Sequence, residues 1–182
     1  MNIIKKFILI KKKEKEYKTY IKIHKQNILK AFYEILNCEE LTELIFNSDI
    51  LPLLYDRVLN HDNSKFSRKE FNAYRKQYYP IDIQEKKLNK LAFEKAWHHH
   101  WIHNDHHWQN RQYWTEEWEL STKTKLACLE NVIDWLAMGY QFNDRPYQYY
   151  EKHKNEIKLP SCQIKFIEYL IYEGVDKKYI KK

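Results

Sequence analysis

Only two glycines, Gly139 and Gly174, interrupt the 182 residues of this chain, alongside four prolines. All-β folds and phosphate-cradling glycine loops need more turn residues than that. Neither GxGxxG nor GxxxxGK[ST] occurs, which excludes those nucleotide-binding loops. Helices joined by short polar turns fit best, so the expected fold class is all-α. In 16–37, Tyr20, Ile23, Ile28, Phe32 and Ile35 recur at roughly helical spacing, with His24 beside the stripe. Segments 40–47 and 50–61 read as two short helices, or one bent at Pro52. Ser67 and Glu70 have the spacing of a capping box. It would open a helix through Phe71 and Tyr74 that stops before Pro80. Residues 84–103 predict a longer helix carrying Leu88, Leu91, Phe93 and Trp97, with a break at Asn104-Asp105. Residues 122–138 predict a helix burying Leu126, Leu129, Val132, Ile133, Leu136 and Ala137, capped by Gly139. Two more follow at 145–157 and 161–173, the latter ended by Gly174. The expectation is seven or eight helices in a single domain, with a basic N-terminal segment (1–15) ahead of a core (16–175).

Net charge is +7, yet only five of the 32 basic residues are Arg. Lys-rich solvated faces explain most of that charge, so a nucleic-acid partner is considered but not favoured. Cys38, Cys128 and Cys162 lie far apart and outside any CxxC, as reduced thiols of a cytoplasmic protein would. No apolar run approaches a membrane span, and the N-terminal apolar pieces are broken by Lys5 and Lys6. No membrane partner is therefore expected.

Two stretches could carry chemistry. In His61-Asp62-Asn63-Ser64-Lys65, an imidazole and a carboxylate follow each other at a predicted helix end. Such a pair can reach one cation, with Lys65 a turn further on, able to meet a phosphate. Alone, a His-Asp pair is more often a hydrogen-bonded surface pair. In WHHHWIHNDHHW (97–108), six of the nine histidines fall within twelve residues. On a helix, His99 or His100 shares a face with His103, and His106 and His107 follow after a turn. Neutral imidazole is the commonest side-chain metal ligand. The other reading is a polar, aromatic-rich seam, which would need a partner for every ring nitrogen. Asp134 lies beside an apolar stripe, where a carboxylate must be paired or metal-bound. Glu130 is one turn before it on the same face. His153 reads as a solvated surface residue. Trp108, Tyr113, Trp114 and Trp118 could stack on a base, but they read better as core and rim.

The run from His61 to Lys65 resembles the HD(I/L)GK motif of the HD superfamily of metal-dependent phosphohydrolases, which are all-α. That resemblance implies an upstream His, the His-Asp pair and a later Asp as ligands. Further histidines serve a second metal in some branches. The chain offers His24, His61-Asp62, His99/His100, His106/His107 and Asp134 in a similar order. Ser64 stands where those enzymes have Gly, and no GYP segment follows. More closely, HDNSKFSRKEF (61–71), AWHHHWIHNDHHW (96–108) and DWLAMG (134–139) resemble an uncharacterised family of small bacterial and phage proteins. The resemblance spans residues 20–170. Its pattern singles out His99, His100, Asn104, His106 and His107, and leaves His98 and His103 at variable positions.

These resemblances imply an HD-like metalloprotein that hydrolyses a phosphoester of a nucleotide or cyclic nucleotide. One or two divalent ions would serve it, iron or manganese favoured and zinc possible. Expected ligands are His24, His61, Asp62, His99, His100, His106, His107 and Asp134. Lys65, Asp62 and His107 are the expected catalytic residues. Lys65, Arg111 and Asn104 are expected to touch the substrate. The alternative is a non-catalytic binding module, metal-stabilised or metal-free, that engages a host protein or nucleic acid.

Overall fold

Apolar spacing and polar turns produce a chain of helices, and the computed structural model describes residues 2–46, 49–114 and 120–180 of it. Among the described residues there is no strand, and the fold is all-α. The helices are α1 (Ile3–Leu36), α2 (Thr42–Ile45), α3 (Leu51–Asn60), α4 (Phe71–Tyr78), α5 (Ile83–Leu88) and α6 (Lys90–His103). They continue with α7 (Trp108–Arg111), α8 (Thr122–Phe142), α9 (Pro146–His153), α10 (Ser161–Glu168) and α11 (Lys177–Ile180). Short 3-10 turns lie at Glu39–Leu41 and Asn63–Phe66, and a π-helical stretch, Tyr169–Val175, extends α10. None of these helices is long and apolar enough to cross a membrane.

The chain forms two compact units. The first comprises Met1–His24 and Asp62–His103, the second Lys25–His61 and Asn104–Lys182. Each has its own core. In the first unit Tyr17, Ile21, Ala73, Tyr74 and Ala96 pack together, with Phe71, Phe93 and Trp97 against them. In the second, Ile28, Phe32 and Ile35 of α1 join Leu54 and Val58 of α3, the apolar face of α8, and Ile167 and Leu170. The six residues expected to be buried on α8 are all buried.

Several local expectations are corrected. The helix expected over 16–37 begins at Ile3 and takes in the basic N-terminal segment. At that end of α1 the buried residues are Tyr17 and Ile21, while Ile23 is exposed. The Ser67–Glu70 capping box does not form: no side chain caps α4. The helix expected over 84–103 is two, because the buried Asn89 leaves the helix ladder and donates from Nδ2 to the Ala73 carbonyl at 2.7 Å. Leu88 and Leu91, expected in its apolar stripe, are exposed. Gly139 lies inside α8, and the cap is Asn143, in the left-handed region at φ 57°. Gly139 is needed for another reason: a Cβ there would stand 2.4 Å from the Asp144 carbonyl oxygen.

Candidate functional site

In the first unit α1 carries His24 inward because Tyr17, Ile21 and His24 recur on one helical face, and the first two anchor in the core. The chain leaves α3 at His61 and turns at Asp62, whose φ of 58° is one that Asp tolerates better than most residues. The 3-10 turn Asn63–Phe66 then delivers Ser64 and Lys65, Glu70 stands at the start of α4, and α6 delivers His99 and His100. His24, Asp62, Glu70 and His100 are all at most 2% exposed.

Asp62 is the centre of this group. Its Oδ2 lies 3.4 Å from His24 Nε2, and its Oδ1 lies 3.2 Å from His100 Nε2. Lys65 forms an ion pair with Oδ2. Behind His100, its Nδ1 meets Glu70 Oε2 at 2.9 Å and Ser64 Oγ at 3.0 Å. The other Glu70 oxygen takes His99 Nδ1 at 2.7 Å. An ionised carboxylate only accepts, so both Nδ1 atoms donate to it. Burial alone would raise the Glu70 carboxyl. The donors His100, His99 and Ser64 outweigh it and hold the group below the ordinary carboxylate range. His98 and His103 are exposed, and His103 Nδ1 donates to the His99 carbonyl at 2.7 Å.

The second unit repeats this logic on α8. Glu130 and Asp134 are four residues apart and share a face. His61 Nδ1 donates to Glu130 Oε1 at 2.8 Å, and its Nε2 lies 3.7 Å from Asp134 Oδ1. His106 Nδ1 lies 3.3 Å from Glu130 Oε1. The His61 and His106 rings sit 4.4 Å apart, and the half-buried His107 ring lies 4.2 Å from that of His106. His61, His106 and Glu130 are buried, each offering a ligand atom within 4.8 Å of the others. Arg57 Nε donates to Glu130 Oε2 at 2.6 Å, and its guanidinium also pairs with Asp105. Burial pushes the Glu130 carboxyl up, but His106 and His61 more than reverse this and hold it far below the ordinary range.

The distances separate two kinds of contact. Ligand atoms bound at ~2.1 Å to one ion stand roughly 3.0–3.5 Å apart. The Nε2-to-Asp62 spacings fall in that window, and the Asp134 spacing lies just outside it. The Nδ1-to-glutamate contacts of His61, His99 and His100 are shorter and are hydrogen bonds. A histidine that donates from Nδ1 presents an Nε2 lone pair, and a lone pair facing a carboxylate oxygen is repulsive. A proton or a metal ion must stand between them. Glu70–His100–Asp62 and Glu130–His61–Asp134 are both carboxylate–histidine relays of the kind that orient metal ligands. These buried groups could hold a metal ion.

Arg111, expected to meet phosphate, is fully buried. It donates to the carbonyls of Asp105 and His106, both at 2.6 Å, to Asn131 Oδ1 at 2.8 Å and to Gln163 Oε1 at 3.0 Å. Those acceptors occupy its fork, so it clamps the 105–106 turn in place of contacting substrate. The Asn104 carbonyl accepts from the His107 backbone N–H at 3.1 Å. Trp108 packs against the larger core, and Tyr113 is exposed. Trp114 donates to Asn110 Oδ1 at 3.0 Å, and Trp118 lies outside the described residues. His153 is half-buried beside Glu156. The sequence reading missed Glu70, Ser64, Arg57 and Asp105. It noted Glu130 only as a neighbour of Asp134.

The family of unknown function DUF5662 matches residues 13–173. The chain belongs to that family. The matched span holds both relays, from His24 to Asp134. No curated protein and no solved structure matches the chain.

Proposed function

We propose that this DUF5662 protein is a metal-dependent phosphohydrolase acting on a phosphoester, with a nucleotide or cyclic nucleotide as the substrate class. The observation that carries the proposal is the Glu–His–Asp relay, built once in each unit from residues that are buried except for the half-buried Asp134. The reaction class follows from the resemblance of His61–Lys65 to the HD phosphohydrolases.

His24, Asp62 and His100 are the proposed ligands in the first unit, and His61, His106 and Asp134 in the second. Glu70 and Glu130 fix each imidazole with Nε2 turned inward, and His99 completes the hydrogen bonding of Glu70. A bound divalent ion would supply Lewis acidity and activate water. The all-N/O donor set suits iron or manganese, and zinc is also compatible. Lys65 has the charge to orient a phosphoryl oxygen once Asp62 turns to a metal. In the second unit, half-buried His107 is the proposed general acid. Manganese- or iron-loaded protein should turn over one class among phosphomonoesters, phosphodiesters and nucleotides, and Asp62→Ala should abolish that turnover while the protein stays folded.

A second reading is a metal-stabilised binding module. It is favoured by the near-complete burial of the first unit's ligands, since structural metal sites are closed and catalytic ones keep an open position. In that case fully loaded protein hydrolyses no phosphoester, and the whole effect of Asp62→Ala is the stability lost with the metal.

A further inference from the structure

We infer that the first turns of α1 are a docking surface for anionic lipid headgroups. Residues 2–8 are all exposed, so no part of the described chain covers that end of the helix. Ile3, Ile4, Phe7 and Ile8 are 85%, 67%, 59% and 61% exposed. Their spacing places them on one helical face. An isolated helix end gains little stability by itself in water, and four large apolar side chains in a continuous stripe are a surface to be covered.

Charge selects the occupant. Lys5, Lys6, Lys11, Lys12, Lys13 and Lys15 lie within the same four turns, against Glu14 and Glu16. The two glutamates pair with Lys11 and Lys13, each at 2.8 Å. Lys5, Lys6, Lys12 and Lys15 form no ion pair among the described residues. Two copies meeting on this stripe would bring their lysine rows together, and like charge opposes that contact. An anionic surface is attracted to the same rows. Lysine stems can lie along the apolar layer while their ammonium groups reach phosphates, as in interfacial amphipathic helices. A run of this many lysines on one such helix is the composition that binds acidic lipid. The earlier expectation of no membrane partner rested on the lack of a spanning segment, and a helix lying in the interface needs none.

The experiment is co-sedimentation of the full chain with vesicles of phosphatidylserine and phosphatidylcholine, against phosphatidylcholine alone. Wild-type protein should pellet with the acidic vesicles, and raised salt should release it. The Ile4→Glu/Phe7→Glu variant should lose that binding by about tenfold or more, and Lys5→Glu/Lys6→Glu should weaken it. All four positions are exposed, so helical circular dichroism and melting should stay at wild-type values. Equal pelleting with neutral vesicles, or binding unchanged by Ile4→Glu/Phe7→Glu, would overturn the inference. So would a dimer in sedimentation velocity that the same variant dissolves, or a monomer indifferent to acidic vesicles, which leaves the stripe to a protein partner.

Discussion

Asp62 shows how much one residue can be asked to do. It accepts a left-handed backbone, a conformation that costs of order 1–3 kcal/mol for most side chains, and it meets His24, His100 and Lys65. Asn tolerates the same φ but lacks the charge. Asp62→Asn should therefore keep the turn and the fold, yet lose metal from the first unit, as read by metal content alongside urea unfolding. Arg111 makes the opposite case. Arg111→Lys cannot reproduce a fork that reaches five acceptors, the Ala127 carbonyl at 3.4 Å among them, so it should cost about 2–4 kcal/mol in urea unfolding. A change confined to substrate affinity, with unaltered stability, would return Arg111 to the role first expected of it. The His-Asp pair and the histidine run were legible because imidazoles are rare and clustered. Glu70 and Glu130 were not, because Glu is ordinary on helix surfaces. Only the approach of His100 to α4, or of His61 to α8, turns it into an orienting group.

Among elements, α8 was the most legible, since an apolar face repeated over five turns admits little but a buried helix. Its end was misread. Gly139 looked like a cap, but its lack of a Cβ serves the close pass of Asp144, and Asn143 makes the turn. Gly139→Ala should destabilise by about 1–3 kcal/mol, because the obstructing atom is backbone and cannot swing away. Asn143→Gly should be neutral or stabilising by a few tenths of a kcal/mol. Thermal melts of the two variants check both signs. The break at Asn89 and the unformed capping box share a cause. Asn89 is drawn to the Ala73 carbonyl and Glu70 to two histidines. Tertiary hydrogen bonds overrode local patterns that the sequence displayed in full.

At the scale of the molecule, each unit has its own core and a largely buried ionic relay, and relays of this kind are costly unless every charge is matched. A bound cation would match them, so metal should contribute to stability by mass action. At a hundredfold excess over its dissociation constant an ion adds ~2.7 kcal/mol. Chelation should lower the melting temperature of wild-type protein and leave that of Asp62→Asn much less affected. The most direct measurement is elemental analysis of untagged protein purified without chelators, wild type beside a His100→Ala/His61→Ala double variant. The account predicts a stoichiometric first-row transition metal in the wild type and its loss in the variant. Folded wild-type protein that holds no such metal, takes none up on addition of manganese, iron or zinc, and melts unchanged in chelator would contradict it. The relays would then be hydrogen-bonded ion pairs and nothing more.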